Sequence, residues 1–299
     1  MKKRLDNYIE GLFVPYSSSW NERTFVSLVY AWFLFFAFWN WHSVWLIWGE
    51  DSVCIRYGAD DTRLNNLVYA LMYNLSLFKP VFIVHLVVSF FSIFHFRGVF
   101  FFRAVAWLSA LWIYYAGINA MNAGYVYMML LMFYSIPYSA KATKPFWAFL
   151  SRLSLLAAGI QVGLIYFYTS IYKLTSWQWL SGEAIYQTFV SDWFSTEAIR
   201  GITQVLPYFI SVIFAYVIML FQFTFPIIIN WKKTRRFAII LGISIHLYIG
   251  IFMHMWDFAL AMMIPYALFT LRDDTTSCDD SGADDPAGGV NSNSDPREI

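Results

Sequence analysis

Apolar positions fill this chain in long unbroken runs, and polar positions gather between them. The first run covers residues 25–48 without a lysine, arginine, aspartate or glutamate. Others follow at 80–96, 100–121, 125–138, 154–174, 204–229, 237–253 and 258–271. A bilayer core about 30 Å thick needs roughly 20 apolar residues per helix. These segments therefore predict an all-α, polytopic membrane bundle of about eight transmembrane helices. The second, fourth and eighth are short, as tilted or re-entrant segments are. Residues 65–78 are amphipathic, and the pattern lays them along the interface before the second span.

Composition agrees with the pattern. Hydrophobic residues make up 59% of the 299 and charged residues 13%, against about 25% charged in a soluble domain. The 14 tryptophans and 20 tyrosines suit interfacial belts. Two cysteines, Cys54 and Cys278, are too few for a disulfide framework. No cleavable signal is expected, because the first apolar run is long and no small-residue cleavage site follows it. The expected organisation is a cytoplasmic N-terminal segment at 1–24, a transmembrane domain at 25–272, and a disordered acidic, Gly/Ser-rich tail at 273–299.

Charge sets the sidedness. Lys2, Lys3, Arg4 and Arg23, then Arg97 and Arg103, then Lys141, Lys144 and Arg152, then Lys232, Lys233, Arg235 and Arg236 all fall on one side of eight alternating spans. Glu50, Asp51, Asp60, Asp61, Asp192 and Glu197 fall on the other, with Arg56, Arg63, Lys79 and Arg200 as exceptions. The positive-inside rule then makes both termini cytoplasmic and the location a multi-pass cell-membrane protein. Cys54 and Cys278 lie on opposite sides.

The chemistry concentrates in residues 161–189. There one lysine, Lys173, interrupts an apolar helix just before Trp177 and Trp179. Each helical residue turns about 100°, so Tyr166, Ser170 and Lys173 share a face. Two readings stand. The lysine anchors the span end by snorkelling to the headgroups. Alternatively it sits inside the bundle near the outer mouth, where a neutral amine acts as base or nucleophile.

Other polar residues are sparse. His246, mid-way along the seventh span, is expected to face the bundle interior, as a hydrogen-bonded structural histidine or a site helper. Gln222 is expected to bond a neighbouring helix, and Pro226 to kink its own. Asn122 sits at a turn at the depth of Lys173. His254 and Asp257 read as a solvated loop pair. No metal-ligand spacing, phosphate loop or basic stripe for nucleic acid occurs, so neither metal nor nucleic acid is expected.

Tyr166-Phe167-Tyr168, Lys173-Leu174, and then Trp179, Gly182, Ala184 and Tyr186 form a more specific string. It resembles the horizontally transferred transmembrane domain (HTTM) family, the membrane part shared with vitamin K-dependent gamma-carboxylase. Gln161, Gln222, Pro226, His246 and Phe258 fit the same pattern. The resemblance spans residues 25–271 and is strongest over 160–271. It implies that Lys173 matches the carboxylase's base, placed toward the luminal side, with a reduced, vitamin K-like quinone as cofactor. Where the carboxylase has an Asn-His pair, this chain has Asn122-Ala123.

Two functions are thereby expected. One is a carboxylase-like membrane enzyme with Lys173 as base and Tyr166, His246 and Asn122 as helpers. Trp179, Gly182, Gln161 and Gln222 would line its cofactor, and an exported peptide or an apolar, quinone-like molecule would be its substrate. The other is a non-enzymatic partner for the maturation or export of a secreted peptide, holding another membrane protein or peptide. Membrane lipids surround either.

Overall fold

The computed structural model describes residues 13–48, 75–117, 121–192, 195–203 and 205–270. The sequence expectations for residues 1–12, for the acidic loop with Cys54, and for the tail with Cys278 lie outside these.

The first apolar run divides in two. Helix α1 (Trp20–Trp39) begins before it, and α2 (Trp41–Trp48) completes it. The start is set by a capping box: Ser19 Oγ accepts from Glu22 N, and Glu22 Oε2 accepts from Ser19 N at 2.7 Å. Such a cap contributes about 1 kcal/mol. The break falls at Asn40, whose side chain and backbone N–H both donate to Phe36 O.

Helix α3 (Leu75–Ser92) carries Pro80 in its second turn instead of starting there. Leu75–Phe78 therefore belong to this helix and not to an interfacial one; residues 65–74 are not described. Helices α4 (Val99–Ala116) and α5 (Ala123–Ser135) follow, then α6 (Pro145–Leu174), which starts well before the expected span. Its first helical residue is the proline, whose missing N–H has no intrahelical partner to lose. Three short helices come next: α7 (Trp177–Leu180), α8 (Glu183–Val190) and α9 (Glu197–Thr203). The chain returns through α10 (Phe209–Ile228), α11 (Lys232–Met253) and α12 (Trp256–Met263), which runs into a 3₁₀ segment, Ile264–Leu268.

Among the described residues, α4, α6, α10 and α11 are long and apolar enough to cross a membrane. The apolar stretches Leu77–Ser92, Ala123–Ser135 and Trp256–Leu268 are shorter. The chain is a helical multi-pass membrane protein.

Helix α1 packs against α3, α5, α12 and the 3₁₀ segment. Its Trp32, Phe33 and Phe36 meet Tyr125 edge-on, and Phe33 meets His85. Trp32 Nε1 donates to Asp257 O at 2.8 Å, so the indole's one polar atom is satisfied in the core. Helices α3 and α4 pair closely, as do α6 and α10. In the second pair Gly163 faces Pro226, and a Cβ there would meet the proline in ordinary van der Waals contact.

The basic end is stapled. A two-residue antiparallel ribbon pairs Tyr16–Ser17 with Lys141–Ala142. Arg103, fully buried, donates to Tyr138 O at 2.6 Å and through its other terminal nitrogen to His95 Nδ1 at 3.2 Å. It lies over the rings of Tyr30 and Tyr138. Its cation therefore lies against Ser135 O, at the C-terminal end of α5, and Tyr138 O just beyond it, where positive charge is favoured. Helix α3 stops at Ser92, so His95 lies in the turn beyond it. Burial, and then the facing Arg103, lower the His95 imidazole to about 4. Arg152 reaches back to Val14 O. Arg23, Arg103, Lys141 and Arg152, drawn from three of the basic clusters, thus meet at one end of the bundle.

Candidate functional site

The site grows from the last turns of α6. Tyr166 and Ser170 are buried there, and Lys173 is half-buried. Lys173 Nζ donates to Gln222 Oε1 on α10 at 2.7 Å. It also lies 4.7 Å from the centre of the Trp179 ring. An amide oxygen and an indole face thus hold the ammonium. Among the described residues no carboxylate pairs with it; the ion pair seen there joins Arg200 to Asp192.

Trp179 reaches this position because the chain reverses after α6. Ser176 N donates to Lys173 O and Trp179 N to Ser176 O, which tightens the exit. Gly182 then turns the chain with φ +81°. A Cβ at Gly182 would stand 2.7 Å from Val212 N and Cα, so glycine is needed for both the angle and the approach to α10. Tyr208 OH fixes the turn by donating to Ser181 O. Helix α8 then seats Ile185 against Ala215 and Met219 of α10, and its Phe189 against Tyr248 of α11.

About two turns below Lys173 on the same face, Tyr166 OH joins two groups. It is 2.7 Å from His246 Nε2 on α11 and 2.6 Å from Tyr266 OH on the 3₁₀ segment. The Tyr166 ring stacks on Phe225 at 4.0 Å. His246 Nδ1 is buried and has no partner among the described residues. Lys173, Gln222 and Trp179 thus form one contact group, with Gly182 shaping its rim, and Tyr166, His246 and Tyr266 form a second about two turns along α6.

Two of the expected residues lie apart. Gln161 accepts from Tyr134 OH on α5 at 3.2 Å. It precedes Lys173 by twelve positions on the helix, a rise of about 18 Å. Asn122 caps α5, accepting from Tyr125 N, and donates to Asp257 Oδ2 at 2.6 Å. Asp257 is thus buried and bonded, not the solvated partner of His254 that the sequence suggested. Its carboxylate also accepts from Phe258 N, whose ring borders His246.

Sequence reasoning missed Tyr266. It lies in an apolar run that reads as plain span, and its proximity to Tyr166 depends on Gly242, where a Cβ would collide with its hydroxyl. Nothing local in the sequence signals that pairing. Among the described residues no group of three or more His, Cys, Asp or Glu comes together to hold a metal.

Comparison with family models, with curated proteins and with solved structures finds no match for this chain.

Proposed function

We propose that the protein is a cell-membrane enzyme in which Lys173 serves as the base, acting at the outer face on an exported peptide or an apolar, quinone-like molecule. One observation carries this reading. The lysine does not simply end a span: its amine is held across to α10 by the neutral Gln222 amide and roofed by Trp179. A headgroup anchor needs neither partner.

In this reading Lys173 takes a proton from the substrate, and Trp179 limits access of water to the amine. Tyr166 and His246 supply buried hydrogen-bonding groups about two turns away along α6. Asn122 and Gln161 act at most through the packing of α5. The resemblance of the Tyr166–Tyr186 string to the HTTM family supports the choice of Lys173. A reduced, vitamin K-like quinone would supply redox chemistry when bound. The aromatic walls and the unpartnered His246 Nδ1 suit an apolar molecule that carries an oxygen acceptor.

Lys173→Arg tests the proposal, because arginine keeps the charge but stays protonated. The variant is expected to insert and fold normally and to lose modification of a co-expressed exported peptide, followed by mass spectrometry. A water-soluble amine reagent, mapped by peptide, should label Lys173 far more slowly than Lys141 or Lys144. Full activity of the arginine variant together with rapid labelling would return the lysine to an anchor. A second reading, a non-enzymatic partner for a secreted peptide, draws on the exposed Tyr168, Tyr172 and Trp177 beside the site. It is favoured if Lys173→Arg is silent while replacing these rings is not.

A further inference from the structure

The Tyr166 hydroxyl is shared by two short hydrogen bonds, to His246 Nε2 at 2.7 Å and to Tyr266 OH at 2.6 Å. Each phenol carries one proton, and so does a neutral imidazole. A doubly protonated ring would need an acceptor at both nitrogens, and Nδ1 has none among the described residues. The protons of the neutral group can be placed in three ways.

In the first, Nε2 donates to Tyr166, which donates to Tyr266. This leaves a bare Nδ1 and a Tyr266 proton without an acceptor. In the second, both neighbours donate to Tyr166. That strands the Tyr166 proton and again leaves Nδ1 bare. In the third, Tyr266 donates to Tyr166, and Tyr166 donates to Nε2. Only the Nδ1 proton is then left over. Buried unsatisfied groups are costly, so the third arrangement is favoured. It also polarises the Tyr166 hydroxyl toward the ring, because a phenol that accepts a bond donates more strongly.

The packing keeps this chain in place. Tyr166 is locked by stacking on Phe225 at 4.0 Å. Tyr266 reaches it only because residue 242 is glycine, where a Cβ would collide with the hydroxyl.

We propose that Tyr166, supported by Tyr266, is a positioning residue that holds His246 as the Nδ1–H tautomer. The ring is then a donor to an acceptor oxygen of a bound molecule, such as a carbonyl, and not a second base beside Lys173. Its bearing on a reaction rests on the proposed role of Lys173; the tautomer itself does not.

The Ile245–His246 step is the single Ile-His step in the sequence. Labelling isoleucine with ¹³C at the carbonyl and histidine with ¹³C and ¹⁵N therefore selects His246 by magic-angle NMR, on the full chain in lipid nanodiscs. The wild type is expected to show a protonated Nδ1 and a bare Nε2. Tyr166→Phe should move the proton to Nε2, the form free imidazole favours. Tyr266→Phe should leave it on Nδ1, because Tyr166 still donates. A general packing role would disturb the ring in both variants alike. A wild-type ring protonated at Nε2, or at both nitrogens, overturns the proposal, as does an unchanged tautomer in Tyr166→Phe. Should Tyr166→Phe not fold, the wild-type spectrum and Tyr266→Phe decide. Failure of the base assignment would appear instead in the activity of Lys173→Arg.

Discussion

Replacing Gln222 by leucine tests whether the Lys173 amine belongs to the bundle interior. The two side chains are of similar size, so packing changes little. What is lost is the acceptor 2.7 Å from Nζ. A hydrogen bond to a charged group contributes about 1.5–3 kcal/mol. The remaining contact, the Trp179 ring at 4.7 Å, contributes about 0.5–2 kcal/mol and cannot replace it. Lys173→Met removes the charge while keeping most of the stem. The two changes, singly and together, make a double-mutant cycle. Reversible unfolding in mixed micelles with increasing SDS, followed by tryptophan fluorescence, gives the four stabilities. Gln222→Leu alone is expected to cost about 1.5–3 kcal/mol. In the Lys173→Met background it should cost little, or even stabilise, because the amide then has no cation to serve. The coupling should therefore fall at about 1.5–3 kcal/mol. A lysine that snorkels to headgroups would show the weak coupling of an exposed pair, about 0–1 kcal/mol. Additivity to within about 0.5 kcal/mol would refute the reasoning and remove the ground for treating Lys173 as a base.

Two glycines with positive φ should respond differently to alanine. Gly182→Ala combines backbone strain with a collision at Val212, for about 2–4 kcal/mol in all. It should also weaken the Trp179 roof over Lys173, read as faster amine labelling. Gly98→Ala, at φ +90° with nothing within 4 Å of the added Cβ, should cost only about 1 kcal/mol by the same unfolding assay. Acid should loosen the basic end through His95. Its folded imidazole is held at about 4, below the usual 6.5, by burial and by Arg103. Unfolding therefore takes up a proton between those values. The contribution is complete above about pH 6.5 and is lost as pH falls toward about 4. His95→Gln, measured across that range, should flatten the stability curve; an unaltered slope would remove His95 from the account.

Much of the fold could be read from residue pattern, and the reason is physical. In lipid every backbone polar group must be bonded within its own segment, so a long apolar run has few options besides a helix. Residues 100–121, 154–174, 204–229 and 237–253 each correspond to a membrane-length helix. Ends were harder. The start of α1 was encoded in Ser19 and Glu22, but a capping signal is easily masked by the larger apolar signal that follows. The break at Asn40 and the helical continuation through Pro80 depend on what the backbone meets in three dimensions.

At the site the division is sharper. Helical period alone put Tyr166, Ser170 and Lys173 on one face, and a scarce lysine among apolar residues marked itself. What lay across from that face was not encoded locally. Gln222 reaches Lys173 because α6 and α10 pack closely along their length. Trp179 covers the amine because Gly182 tolerates Val212. Tyr266 reaches Tyr166 because residue 242 lacks a Cβ. Asp257 is buried because Asn122 and Trp32 reach it from other helices. Sequence determines which groups a helix presents, through a fixed angular step. Which groups answer them is decided by how closely backbones approach, and that is a property of the assembled bundle.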